Sequence, residues 1–131
     1  MIIGNKLPLI DYKKNLSTAL KIMNQKKLGI VIVLKNKYIA GLVTDGDLRR
    51  EVKILSKKMN LQKFMTKKPL VVNENMPASK ALAIMNEKKI TSLLVVSDRD
   101  FKKNSKIKLK GIIHIHSLLQ HGVKWWKEKK N

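Results

Sequence analysis

Apolar and polar residues along this chain follow two alternating rhythms. Leu16, Ala19, Leu20 and Met23 fall three and four positions apart, which predicts an amphipathic helix with Asn15 as its N-cap and Gly29 ending the exit turn. Gly29 to Leu34 (G-I-V-I-V-L) and Tyr38 to Val43 (Y-I-A-G-L-V) are strand-like runs joined by the polar turn Lys35-Asn36-Lys37, which predicts a hairpin. After Val43 the helical rhythm returns: Leu48, Val52 and Leu55 follow Thr44, a good N-cap, and Asp45 and Asp47 stand in the first turn where the helix dipole favours anions.

The same order of elements then recurs. Pro8-Leu9-Ile10 is echoed by Pro69-Leu70-Val71 at an offset of 61, and the nine residues from Ala19 to Lys27 by Ala81 to Lys89 at an offset of 62. Ile30 to Leu34 returns as Ser92 to Val96. Gly41-Leu42-Val43 returns as Gly111-Ile112-Ile113 at an offset of 70, so the second copy holds eight extra residues within Asp98 to Lys110. That stretch is polar and lysine-rich and reads as an exposed loop without evident chemistry. In the second helix Pro77 opens the chain of turns and Ala78, Ala81, Leu82 and Met85 make the apolar stripe; the methionines read as core fillers. Lys57 to Gln62 is a polar connection, and Leu61 to Thr66 reads as one helical turn leading into the second copy.

The fold class is therefore α/β (α+β): two pseudo-two-fold-related β-α-β-β-α repeats at residues 3–60 and 61–122, followed by a tail at 123–131. Each half-core is too small to bury much alone, so the two should pack sheet to sheet and leave two equivalent clefts between them.

Chemistry concentrates at Gly41 to Arg50, G-L-V-T-D-G-D-L-R-R. Thr44 stands where a strand hands over to a helix, and a hydroxyl with backbone N–H groups there can hold a phosphate. Asp47, three residues on, can take both hydroxyls of a ribose, and Arg49 and Arg50 add planar phosphate-binding forks. A bare helix cap uses the same two residues, so the junction alone does not decide. In the second copy His114 and Ser117 replace Thr44 and Asp47, which removes the carboxylate clamp. That cleft reads as degenerate, or as adapted to another acidic group through the imidazoles of His114 and His116.

Composition narrows the classes. The 131 residues carry a net charge of +20, yet 26 of the 29 basic residues are lysines scattered along the chain, and aromatics for stacking bases are few. Nucleic acid is thus not the expected partner, whereas attraction of small phosphates is. The absence of cysteine excludes disulfides and thiolate metal sites, and three histidines are too sparse for a metal site. No apolar run is long enough to span a bilayer and no signal peptide is evident, so a cytoplasmic protein without membrane contact is expected. In the tail G-V-K-W-W-K-E-K-K-N, Trp125 or Trp126 is expected to pack on the domain or a partner subunit; anchoring at a membrane surface is the alternative.

The duplication, G-L-V-T-D-G-D-L closing the first copy and M-T-K-K-P-L-V-V opening the second, resembles a tandem pair of cystathionine-β-synthase (CBS) domains, the Bateman module, over residues 3 to 122. In that family the threonine and aspartate matching Thr44 and Asp47 bind the phosphate and ribose of adenosyl ligands. T-D-G-D-L-R-R, G-N-K-L-P at Gly4 to Pro8, I-T-S-L-L-V-V and G-I-I-H-I-H-S-L-L-Q-H-G are further similar to the C-terminal regulatory part of arabinose 5-phosphate isomerases, which serve lipopolysaccharide synthesis through 3-deoxy-D-manno-octulosonate. That family has Asp where this chain has Ser117. Its sugar-isomerase domain lies N-terminal to the pair and is absent here, which implies an excised or truncated module.

The resemblance implies a regulatory module rather than an enzyme, and no cofactor is required. An adenosyl or cytidyl nucleotide, or a nucleotide sugar, would bind with its phosphate on Thr44, its ribose on Asp47, and a phosphate or sugar carboxylate on Arg49 or Arg50. Residues from Asn5 through Leu7 to Pro8, with Gly29, Ile30 and Val31, would wall the base. A homodimer through Asp47 to Leu55 and Ser117 to Gln120 would match the family's disc. The alternatives are a purely structural oligomerisation module, or the CBS pair of a sugar nucleotidyltransferase; no nucleophile–base pair at usable spacing supports catalysis.

Overall fold

The computed structural model describes residues 1–50, without the Arg50 side chain, and 59–116. Arg50's proposed contacts, Ser117, the two expected dimer helices beyond these limits and the tryptophan tail lie outside the described residues. A 3-10 turn (Gly4–Lys6) leads into β1 (Leu9–Asp11), α1 (Leu16–Lys26), β2 (Ile30–Lys35), β3 (Tyr38–Thr44) and α2 (Asp45–Arg50). A short α3 (Leu61–Phe64) and β4 (Thr66–Lys67) follow, then β5 (Val71–Asn73), α4 (Ala78–Lys88), β6 (Ser92–Val96), α5 (Asp98–Phe101) and β7 (Gly111–His114).

One sheet has the order β1-β2-β3-β4 and the other β5-β6-β7. In each, a helix crosses between two parallel strands, Ile10 pairing with Val33 and Val72 with Val95, and a hairpin adds the third strand antiparallel. The apolar runs lack polar alternation because both faces of β2 and β6 are covered. Val31 and Val33 join Leu16, Ala19 and Met23 of α1 in one core, and Leu93 and Val95 join Ala81 and Met85 of α4 in another. Ile30, Ile32, Leu94 and Ile112 point the other way and meet in a third core, where the two sheets pack together.

The helix ends obey local rules. The Asn15 side chain accepts the Thr18 N–H and caps α1. Both long helices close in left-handed lysines, Lys27 (φ 57°) and Lys89 (φ 55°), and Gly29 (φ 73°) follows Lys27 in the exit turn.

Two elements depart from the sequence expectation. The turn at Leu61 does not simply lead into the second copy: Leu61 is fully buried in the first core, and β4 pairs with β3, Gly41 opposite Lys67. Reciprocally, Ile2 bridges to Ile112 of the second sheet, its N–H donating to Ile112 O at 2.8 Å and its carbonyl accepting the Ile112 N–H at 2.9 Å. Each copy thus lends the segment before its first strand to the other's hairpin. Glycine at 41 and 111 permits the close approach. A Cβ on Gly41 would lie 2.5 Å from Met65 Sδ and 2.9 Å from Thr66 O, and one on Gly111 2.6 Å from Met1 Cγ and 2.7 Å from Ile2 O.

The second departure is Asp98 to Lys110, which is not merely an exposed loop. It opens with α5, and Asp100 is 8% exposed. Ser97 Oγ accepts the Asp100 N–H at 3.1 Å, Asp100 Oδ2 accepts the Lys108 N–H at 2.8 Å, and Lys103 Nζ lies 3.0 Å from Asp100 Oδ1. One carboxylate therefore organises the insertion, and these donors hold its pKa below the usual aspartate range.

Candidate functional site

A cavity of about 540 Å³ opens at the junction of β3 and α2. Four of the residues expected there line it: Gly29, Ile30, Thr44 and Asp47. The register explains their meeting, since Ile30 pairs with Thr44 and Gly29 O accepts the Asp45 N–H at 2.9 Å, joining the start of β2 to the end of β3. Thr44 Oγ1 accepts the Asp47 N–H at 3.0 Å, and Asp47 Oδ2 accepts the Thr44 N–H at 3.4 Å. This reciprocal capping box fixes both side chains at the cavity wall. The Thr44 hydroxyl accepts in this box through one lone pair and can still act as a donor.

The opposite wall comes from the second copy. Thr66, Pro69 and Leu70 stand where Asn5 and Leu7 were expected, and Lys88 to Leu94 complete the lining. The reason is the segment exchange. Because Met65 to Lys67 crosses to the first sheet, Thr66 and, beyond β4, Pro69 and Leu70 come to the cavity that Thr44 lines, whereas Leu7 is 9% exposed in the core between the sheets. Asn5 is exposed at the 3-10 turn, and its carbonyl accepts a hydrogen bond from Lys26 Nζ. The signal for this second wall was present in the repeat itself, since Thr91-Ser92 is the twin of Gly29-Ile30, but only the pseudo-two-fold packing sets the pairs face to face.

Within the wall, Ile30, Leu42, Leu70 and Leu94 offer apolar surface and Lys88 and Lys89 offer positive charge. Ser92 Oγ is buried without a hydrogen-bond partner, an uncommon state for a buried hydroxyl. Arg49 is not in the lining; it lies 3.8 Å from Asp45 Oδ1 in an exposed ion pair of little energetic weight.

His114 occupies Thr44's place in the second copy, pairing with Ser92 as Thr44 pairs with Ile30. Its Nδ1 accepts the His116 N–H at 3.3 Å, so the imidazole takes over the capping role of the threonine hydroxyl. The two rings lie 5.0 Å apart, and partial burial followed by the neighbouring His116 pushes the His114 pKa down. Neither histidine lines the Thr44 cavity. Among the described residues no cluster of His, Asp or Glu could hold a metal ion, and no helix is long and apolar enough to cross a membrane.

Two β-α-β-β units that exchange segments, pack sheet to sheet and enclose a cleft at a strand-to-helix junction define a duplicated α+β module. Residues 3–54 and 61–124 match the CBS domain, and the chain belongs to that family. It resembles arabinose 5-phosphate isomerases: the Pseudomonas aeruginosa KdsD is 34% identical over 94% of this chain and 36% of its own length, and the probable Haemophilus influenzae enzyme 35% over 72% and 29%. An uncharacterized Rickettsia prowazekii protein is 35% identical over 92% of this chain and 35% of its own length. The chain spans about a third of the length of these curated relatives. Among solved structures, CBSX2 in complex with AMP has a TM-score of 0.75 at 22% identity, covering 95% of this chain and 93% of the other. A CBS-domain protein of Burkholderia ambifaria, described as a putative signal-transduction protein, has 0.74 at 24%, covering 95% and 84%.

Proposed function

We propose that this CBS pair is a regulatory module that binds a nucleotide or nucleotide sugar in the Thr44 cavity, and that it serves an arabinose 5-phosphate isomerase in lipopolysaccharide synthesis. The observation that carries the reading is the two-sided lining of that cavity. Thr44 and Asp47, fixed by their capping box, face Ser92, Lys88 and Lys89 across apolar side chains. Such a surface matches a molecule with a phosphate, a diol and a flat apolar base. The volume of about 540 Å³ falls within the ordinary range for small-molecule sites.

In this reading the Thr44 hydroxyl and the lysines hold phosphate, Asp47 accepts from the ribose hydroxyls, and Ile30, Leu42, Leu70 and Leu94 flank the base. The unpartnered Ser92 hydroxyl is the polar group whose burial a base or sugar would relieve. Structural neighbours crystallised with AMP, and with ATP in the cytosolic domain of the channel MgtE, support a nucleotide as ligand. Similarity to the isomerases supports a cytidine-activated octulosonate as the feedback signal. The parent's sugar-isomerase domain would do the chemistry in the cytoplasm, while the pair, as a homodimer, biases its conformations through differential ligand affinity.

The test is a thermal-shift panel with AMP, ATP, S-adenosylmethionine, CMP and the cytidine-activated octulosonate on wild type and Asp47→Ala. A ligand at a hundred times its Kd stabilises by about 2.7 kcal/mol, roughly 10 °C for a domain of this length. The expected result is one nucleotide that shifts the wild type and leaves Asp47→Ala unmoved. If none shifts the wild type while the chain still runs as a dimer, the module is a scaffold.

A further inference from the structure

A second cavity, of about 720 Å³, adjoins the first at Pro69 and lies between the 98–110 insertion and the segment that joins β4 to β5; neither Thr44 nor Asp47 lines it. Lys67 and Lys68 stand on one wall and Lys103 and Lys106 on the other, with Ile39, Met65 and Val71 between them. No carboxylate is among the described residues that line it. Lys103 is paired with Asp100 behind the wall, and Lys67, Lys68 and Lys106 make no ion pair with any described residue.

The insertion is more than a connection between strands. The first copy closes the same hairpin with Lys35-Asn36-Lys37, so the longer link spends closure entropy without need. It is also built to a fixed shape. Asp100 gathers Ser97, Lys103 and Lys108, and Ile107 O accepts the Ile39 N–H at 2.8 Å, pinning the insertion across the boundary onto the first sheet.

Backbone strain marks both walls. Lys68 (φ 52°) and Lys106 (φ 57°) are left-handed, a region unfavourable for a residue with a side chain. Lys27 and Lys89 share that conformation as helix C-caps, and Asn36 and Lys37 in a tight hairpin turn, but Lys68 and Lys106 end no helix, and Lys106 lies inside the long β6–β7 connection rather than in a tight turn. Glycine would sit at 68 and 106 at lower conformational cost; lysine there places like charges around one cavity.

We propose that this cavity binds a small molecule carrying phosphate groups with at least two negative charges, its phosphates between the Lys67–Lys68 and Lys103–Lys106 walls and its carbon skeleton on Ile39, Met65 and Val71. The proposal does not depend on the Thr44 cavity.

The test uses the whole chain carrying Lys88→Gln/Lys89→Gln, which takes both lysines out of the Thr44 cavity, titrated with tripolyphosphate and with glycerol 3-phosphate against sulfate at equal ionic strength. Binding is read by calorimetry and by amide chemical shifts. Saturable binding of a phosphate probe should perturb the amides of Lys67, Lys68 and Ile107. Tighter binding of glycerol 3-phosphate than of sulfate at equal ionic strength identifies a phosphate ester as ligand; binding of tripolyphosphate alone identifies a polyphosphate. Lys68→Gly/Lys106→Gly removes two charges and the strain together. It should weaken binding about 4- to 25-fold, from the ordinary worth of exposed charge pairs, while the Tm stays level or rises. Lys67→Gln, which leaves both backbone positions alone, should weaken it about 2- to 5-fold. Lys21→Gln/Lys80→Gln removes the same charge from exposed helix positions and should leave affinity within about twofold. Equal weakening by the two double variants would mean diffuse attraction by a basic chain and would overturn the proposal, as would sulfate matching both probes or shifts clustered away from this cavity.

Discussion

Replacing Gly41 by alanine puts one methyl group at the seam where the two copies exchange segments. The new Cβ would lie 2.5 Å from Met65 Sδ, 2.7 Å from Met65 Cγ and 2.9 Å from Thr66 O. The methionine side chain can swing aside, but the Thr66 carbonyl belongs to β4, whose pairing with β3 fixes it opposite Leu42. Relief therefore requires β4 to move. Overpacking of this kind costs about 1–3 kcal/mol. Gly41 does not use a left-handed conformation, so alanine also stiffens the unfolded chain and returns about 0.4–1 kcal/mol. The balance is a net loss of about 1–2 kcal/mol, or a Tm lower by roughly 3–10 °C for a domain of this length.

The same displacement should reach the cleft, because Thr66, Pro69 and Leu70 lie in and just beyond β4 and line the Thr44 cavity. Gly41→Ala should therefore weaken the proposed nucleotide binding although residue 41 is not in the lining. Circular dichroism melts of wild type and variant, followed by titration of whichever nucleotide stabilises the wild type, check both halves. A Tm equal to or above wild type would show that β4 does not need the close approach, and the account of the exchange would fail.

Two further outcomes follow from titratable groups. His114 has its pKa lowered in the fold, so the unfolded chain binds the proton more readily; stability complete above about 6.5 should decline as pH falls through that value toward the lower folded one. Urea midpoints at pH 7.5 and 5.5 should therefore differ more for wild type than for His114→Gln, and equal differences would remove His114 as the cause. Asp98 and Asp100 also have lowered pKa values, Asp98 chiefly through the Asn73 amide and Asp100 chiefly through the Lys108 N–H. Their contribution is present above the usual aspartate pKa of about 3.9 and is lost as pH falls through the folded values. Asp100→Asn should leave the core Tm nearly unchanged but speed hydrogen exchange at the Lys108 and Ile39 amides, which report whether the insertion stays pinned; unchanged exchange would deny Asp100 its organising part.

The helices and hairpins were legible because each is decided locally and then repeated. Ala19 to Lys27 and Ala81 to Lys89 carry the same stripe, and Asn15 supplies its cap from its own side chain. Thr44 and Asp47 were legible for the same reason, since a capping box is written in four consecutive residues. The exchange was not. Thr66 and Lys67 are both exposed, so no buried face marks a two-residue strand, and its partner is fixed only when Leu61 enters the first core. The second wall of the cleft was hidden with it. Asp100 was hidden differently: an acid among lysines in a polar stretch reads as solvated, and its burial depends on donors that the folded insertion brings to it from Lys103 and Lys108.

The exchange also bears on how a ligand in the cleft could act at a distance. A ligand shifts a conformational equilibrium only by the difference in its affinity for the two states, so a site built within one rigid unit would bind without signalling. Here Thr44 ends a strand of the first copy, Ser92 begins one of the second, and Thr66 to Leu70 is covalently continuous with β4 in the first sheet and β5 in the second. Any rotation of one sheet against the other changes the separation of these walls and the course of that linking segment together. On the proposed function, the nucleotide's differential affinity resides in the spacing between the copies, and β4 with its close contact at Gly41 is the part of the chain through which that spacing is felt.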